Sequence, residues 1–174
     1  MIILHAVQKL LNTSGLKPAL YLSAPTDGQH MHSWYVKLAS AGFPGKLLTM
    51  YVHEPSLLTV LTTGRSIKTT LPQFYERLPQ LLQRHSFRQD FIEKEMEFVV
   101  QGHIVSKTNS KSMLGFMNEM TFQIENRCFN YPTYALIDLS CEEDIFMNWL
   151  SFDNISHRYR LTRDYWAKRG LLLT

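Results

Sequence analysis

Between Phe98 and Ile124 the apolar pattern changes from a two-residue alternation to a helical repeat, and this switch limits the chain to folds that feed a strand straight into a long helix. Phe98-Val-Val-Gln-Gly-His-Ile-Val105 reads as a strand, whereas Met113, Phe116, Met117, Met120 and Ile124 fall on one stripe of a helix. Leu114, Asn118, Thr121 and Glu125 form a neighbouring, more polar stripe, so one face of this helix belongs to a core. The connection is Lys107-Thr-Asn-Ser-Lys-Ser112. Thr108, Asn109 and Ser110 are each able to cap a helix N-terminus, and Lys107 and Lys111 place positive charge beside N–H groups that a first turn leaves unpaired.

The rest of the chain alternates between the same two periods. Ile2-Ile-Leu4 is a short buried strand leading into a helix over 6–11, which Asn12-Thr-Ser-Gly15 stops, Gly15 being suited to a left-handed C-terminal position. A polar surface loop with Pro25, Asp27 and Gly28 follows. Residues 34–38 and 46–52, separated by Gly42-Phe-Pro-Gly45, predict an antiparallel hairpin. Leu57–Thr63 fits either a third strand or a short helix. Helical spacing at 74, 78, 81 and 82 predicts a helix through His85 that Pro79 bends or divides, and Phe91, Ile92, Glu95 and Met96 predict another. Tyr134 to Leu139 reads as a last strand, and Ser140-Cys-Glu-Glu143 as a capping box for a helix to about Leu150.

With 174 residues, 45% of them hydrophobic and 19% charged, the chain is long enough for one core, and residues 1–174 are expected to form a single domain. The net charge of +3 does not by itself imply a nucleic-acid partner. Cys128 and Cys141 lack metal-ligand spacing, the start Met1-Ile-Ile-Leu-His5 lacks the basic and small-residue features of a signal peptide, and no apolar run approaches a membrane span. These features predict a cytoplasmic protein with free thiols and no membrane association.

Several residue sets have chemistry to offer. Lys107, Asn109, Ser110, Lys111 and Ser112 have the make-up of an anion seat at a helix N-terminus, although ordinary capping explains the same residues and no P-loop pattern is present. Gly115 inside the helix suggests a close backbone approach, Asn118 a partner for a buried backbone group, and Glu119 a base, with His5 at the end of the first strand as a further candidate. Of the scattered histidines only His30 and His32 are closely spaced, and without HExxH or paired CxxC motifs neither a metal nor any other cofactor is expected. No GxSxG elbow or other nucleophile signature occurs. Residues 153–174 form a basic, aromatic C-terminal extension. There Arg158, Arg160, Arg163, Lys168 and Arg169 are candidate phosphate or partner contacts, and Tyr159, Tyr165 and Trp166 would stack on bases, fill an interface or pack on the body.

The opening Met-Ile-Ile-Leu-His-Ala-Val-Gln-Lys-Leu-Leu, the Trp34-Tyr-Val-Lys-Leu38 strand and the segment Lys107–Glu119 together resemble a bacterial family catalogued as a domain of unknown function. Its pattern K-T-N-x-[KR]-S-[VM]-L-G-x-M-N-[DE] is matched at every position from Lys107 to Glu119. The similarity covers residues 1 to about 126 and implies a small cytosolic α+β protein without implying an activity.

The fold expected is therefore α+β, a mostly antiparallel sheet covered on one side by helices near 72–96, 110–126 and 141–150. Because no acid, base and nucleophile converge in the sequence, the leading functional expectation is a non-enzymatic interaction module acting through a protein partner or a homo-oligomer. A nucleic-acid binder using Lys107, Lys111 and the tail is the second. An enzyme on an anionic small molecule seated at 110–112 is the third.

Overall fold

Ile2-Ile-Leu-His-Ala6 is buried at every position, as only a strand flanked on both edges and covered on both faces can be. The computed structural model describes every residue except 21, 26–28, 154–157 and 174, and the backbone alone over 151–153 and 158–160. In it β1 (Ile2–Ala6) runs parallel to β2 (Ser33–Ser40) on one side and to β5 (His103–Lys107) on the other. Parallel neighbours require crossovers rather than hairpins. One crossover uses α1 (Gln8–Ser14), ending at Gly15 with φ of 64°, and the other uses α2 (Ile67–Arg84) and α3 (Gln89–Val99). Between them, β3 (Leu47–Glu54) and β4 (Thr59–Thr63) continue from β2 in antiparallel fashion, giving a five-stranded mixed sheet of order β4-β3-β2-β1-β5. The turn at 41–46 sets the β2–β3 register, which places Trp34 opposite His53.

Alternate residues of the central strands are large on both sides, so both faces need cover. On one face Leu4, Trp34, Val36, Tyr51 and Val60 pack with Leu10, Phe74, Leu78 and Leu81 from α1 and α2. On the other, Tyr35, Met50 and Leu61 meet Met113, Met117, Met120 and Ile124 of α4 (Lys111–Cys128) and Phe146 of α5 (Leu139–Met147). The α+β expectation is met, while the sheet is mixed rather than mostly antiparallel and helices lie on both faces rather than one. β1 is the cause, because a fully apolar strand leaves no solvent face.

Other local expectations yield to tertiary contacts. Leu57–Thr63 resolves as a strand, and α2 runs continuously through Pro72 and Pro79, its N-cap Ser66 accepting the Thr69 N–H at 3.3 Å. Tyr134–Leu136 is a single 3-10 turn, and α5 starts under Asp138, whose carboxylate accepts the Cys141 N–H at 3.1 Å. Ser140 is therefore not the cap. Glu143, expected to close the capping box, is instead turned fully inward. It accepts the edge-strand Leu61 N–H at 2.9 Å and is bridged by Arg77 and Arg84, each at 2.9 Å. Gly115 faces open space, with nothing within 4 Å of where a Cβ would stand, so the close approach expected there is absent. Gly42 makes such an approach: it has φ of 75°, and a Cβ there would stand 3.4 Å from the Glu125 carbonyl near the end of α4.

At the C-terminus, β6 (Leu150–Asp153) and β7 (Arg158–Leu161) form a hairpin and α6 (Thr162–Ala167) follows. Tyr165 and Trp166 enter the first core, and Leu171 and Leu173 are tied by backbone bonds to Arg88 and Ser86. The extension is thus part of the body. Removing the Glu143 carboxylate by Glu143→Ala leaves two guanidinium groups and a strand N–H without their partner. Chemical denaturation should show a loss of about 3 kcal/mol, the usual result of breaking a buried ion pair from one side.

Candidate functional site

The motif residues expected to seat an anion act mainly as braces. Ser110 caps α4 by accepting the Met113 N–H at 3.2 Å. Asn109 accepts the Tyr35 hydroxyl at 2.7 Å, and Asn118 accepts the Lys37 ammonium, so the two asparagines hold α4 against successive outward positions of β2. Burial lowers the Lys37 pKa. Lys107, Lys111, Ser112 and Glu119 are exposed, the last accepting Gln123 one turn on at 3.0 Å. His5 is buried, stacks on Tyr35 with ring centroids 4.7 Å apart, and has its Nδ1 3.4 Å from the Lys107 carbonyl. A carbonyl only accepts, so Nδ1 carries the proton. Burial lowers the His5 pKa, with the carbonyl acting in the opposite sense.

These braces stand behind a cavity of about 560 Å³ at the end of the sheet where β2 begins and β3 ends. Its walls include His5 and Ser33, the adjacent pair His53 and Glu54, and Trp166 and Arg169 from the C-terminal extension. The ring of His53 is stacked on Trp166 at 5.5 Å, and Trp166 packs edge-on against Phe87. Glu54 is half-buried, and burial raises its carboxyl pKa while hydroxyls of Tyr35 and Ser110 pull it back. The Ser33 hydroxyl, across the ladder from Glu54, faces that carboxyl and holds its pKa down together with Tyr35 and Ser110.

The approach to the cavity is fixed by a buried carboxylate. Glu95 of α3 is fully inaccessible, accepts the Met31 N–H at 2.9 Å and lies 3.1 Å from His30 Nδ1. Burial raises its pKa and these two partners oppose the rise. His30 is stacked on Phe98 at 4.2 Å, His32 meets the same ring edge-on at 4.7 Å, and the two histidine rings meet edge-on at 5.9 Å, so the three form one aromatic cluster. Among the described residues no three His, Cys, Asp or Glu side chains assemble as a metal site.

The span from β1 through β6 carries one recognisable family pattern, described as a domain of unknown function (DUF6933) and matched over residues 3–157. The chain belongs to that family. Neither the curated proteins nor the solved structures yield a match. The DUF6933 match extends beyond the 1–126 region marked out by the sequence resemblance. It includes His5, Ser33, His53, Glu54 and Glu95, whereas Trp166 and Arg169 complete the cavity from beyond it.

In this DUF6933 chain the remaining tail residues are dispersed. Arg163 and Lys168 are exposed, and Tyr165 and Trp166 are buried. The guanidinium of Arg169 lies 3.5 Å over the Tyr165 ring and donates to the Tyr165 carbonyl at 3.0 Å. Arg158, Tyr159 and Arg160 have side chains outside the described residues, as does all of His157. Lys107 and Lys111 do not line the cavity. His103 starts β5 opposite Ile2 and His5 lies further along the same ladder, so His103 stands apart from the cavity that His5 and His53 line.

Strand-end position marks His53 as a candidate neighbour of His5, and both line the cavity, whereas sequence reasoning missed Glu54 and Ser33. Counting back from the 41–46 turn pairs Trp34 with His53 and Ser33 with Glu54, a signal that the hairpin alone supplies. Glu95 carried its own sign as an acid within an apolar helical stripe.

Burial pushes the His53 pKa down to about 3, assisted by the nearby His32 and Arg169. Between that value and its ordinary 6.5 the unfolded chain binds a proton that the folded chain rejects, so this residue makes stability fall as pH is lowered through the window. The slope reaches about 1.4 kcal/mol per pH unit. Relative to His53→Phe, wild type should therefore lose stability as pH falls below about 6, and curves that stay parallel there would contradict the buried neutral imidazole.

Proposed function

We propose that the protein binds a small molecule in the cavity at the β2/β3 end of the sheet. The carrying observation is a buried polar atom in its wall that has no hydrogen-bond partner among the described residues, the indole N–H of Trp166. Buried polar atoms are nearly always paired, and an unpaired one is a cost of about 1–3 kcal/mol that a bound partner removes. Trp34 shows the ordinary situation, its indole N–H donating to the Met31 carbonyl at 2.8 Å. The cavity also has the size of a typical ligand site and is surrounded by groups with displaced pKa values, as binding and active sites are. This reading retains the small-molecule expectation and moves it from residues 110–112 to the cavity. An exposed free thiol, Cys141, suits the cytoplasm as its setting.

Self-association through a surface separate from the cavity is the second reading. Phe122 on α4 and Phe129 at its C-terminal cap, seven residues apart, are 59% and 76% exposed. Concentration-dependent mass measurements test it. Nucleic-acid binding has weaker support, because Trp166 is buried and unable to stack on a base.

The direct test is a thermal-shift screen of a chemically diverse small-molecule library on the full chain, repeated on Trp166→Phe. A true ligand at one hundred times its Kd adds about 2.7 kcal/mol of stability to the wild type. Trp166→Phe, which keeps an aromatic ring and removes the N–H, should reduce that gain. A library that stabilises neither protein, or hits whose effect is identical in both, would overturn the proposal.

A further inference from the structure

The polar equipment of the cavity is weighted towards donors. The indole N–H of Trp166 can only donate, so the group that satisfies it must be an acceptor. Beside it, His53 Nδ1 lies 2.7 Å from the Ser56 hydroxyl, which already accepts the Leu58 N–H at 3.2 Å. A hydroxyl oxygen has two acceptor lone pairs, so Ser56 pairs with the ring in either tautomer, and in the Nε2–H tautomer the neutral imidazole offers the cavity a second donor. Arg169 supplies the third. One of its nitrogens is engaged by the Tyr165 carbonyl, no carboxylate pairs with its guanidinium among the described residues, and the side chain is exposed at the rim.

The acidic groups nearby are committed elsewhere. Glu95 is held by the Met31 N–H and His30, and Glu54 faces the hydroxyls on the α4 side of the sheet. A cation would meet Arg169 and leave the donors unanswered. A neutral acceptor would answer the donors and leave the guanidinium without a counter-charge. An anion answers both. The cavity, at about 560 Å³, is far larger than an inorganic anion requires, and the aromatic surfaces of Phe91, Tyr165 and Trp166 offer contact for an apolar body.

We infer that the ligand is a small organic anion, its carboxylate or phosphate group received by the Trp166 indole, the His53 imidazole and the Arg169 guanidinium, with its apolar part against Phe91 and Tyr165. This inference rests on the cavity being a ligand site as proposed above. Carboxylates and phosphate monoesters share the required chemistry, and Arg169 is suited to both.

The test uses matched pairs on the full chain: aromatic and aliphatic carboxylates beside their methyl esters, and phosphate monoesters beside their parent alcohols, with inorganic phosphate alone as the control for charge without a body. Affinities are measured by calorimetry for wild type, Arg169→Gln and His53→Gln. The charged member of a pair should bind at least about tenfold more tightly than its neutral partner, the worth of one charge-assisted hydrogen bond. Arg169→Gln should erase most of that difference while leaving the binding of the neutral partner unchanged. Because Arg169 is exposed, this variant keeps the core intact, and an unchanged unfolding transition verifies it. Whichever series binds identifies the head group. Equal binding of charged and neutral partners would overturn the anion inference while leaving the cavity a ligand site, as would an Arg169→Gln variant with wild-type discrimination. Binding by neither member of any pair, in a protein that the diverse library does stabilise, would also overturn it. If that library fails as well, both readings fall together.

Discussion

The parallel pairing of β1 with strands on both of its edges is the constraint from which the remaining architecture follows. A strand of five buried residues between β2 and β5 leaves neither edge nor face in water. Its parallel neighbours are reached by crossovers, and those crossovers bring α1, α2 and α3 onto one face of the sheet. The opposite face, equally apolar, then requires α4 and α5. Two cores result, divided by one sheet, with Trp34 and Tyr35 as neighbours in sequence and members of different cores.

Buried carboxylates fasten the periphery to this frame. Glu143 ties α5 to the exposed edge of β4 and to two arginines of α2, and Gln73 takes both the N–H and the carbonyl of Thr63 on the same strand. An edge that would otherwise present free backbone groups is thus answered by side chains. Glu95 performs a similar task at the other end, fixing Met31 and His30 before β2 begins. In both cases the carboxylate lies in the interior and the groups it binds are distant in sequence, so each acts as a clasp between elements.

The cavity forms where these constraints meet. β2 and β3 end there, the clasp at Glu95 fixes one approach, and α6 returns to supply Trp166 from the far end of the chain. The aromatic ring of Trp166 is well packed while its N–H has no hydrogen-bond partner among the described residues, and the proposed ligand site rests on that contrast. The Lys107–Glu119 motif contributes from behind. Asn109 fixes Tyr35, Tyr35 supports the ring of His5, and Ser110 faces Glu54.

Much of this could be read from the sequence, because local periodicity and turn chemistry are properties of short segments. The strand at Ile2–Ala6, the hairpin around Gly42 and Gly45, the stop at Gly15 and the apolar stripe of α4 all follow from residue spacing. The strand expected at Tyr134–Leu139 and the capping box at Ser140 did not form, since Glu143 gained more from Leu61, Arg77 and Arg84 than a helix end offered it. The motif residues were visible as polar helix-start residues, yet their role as braces depended on the strand lying beneath them. The sequence by itself determined most of the elements before residue 130, through interactions between residues a few positions apart, although Phe98 and Val99, expected in a strand, close α3, and the β6–β7 hairpin was not expected. Tertiary structure alone decided that helices cover both faces and that His5, His53, Glu54 and Trp166 share one cavity, because those contacts join residues separated by most of the chain and depend on strand order and direction.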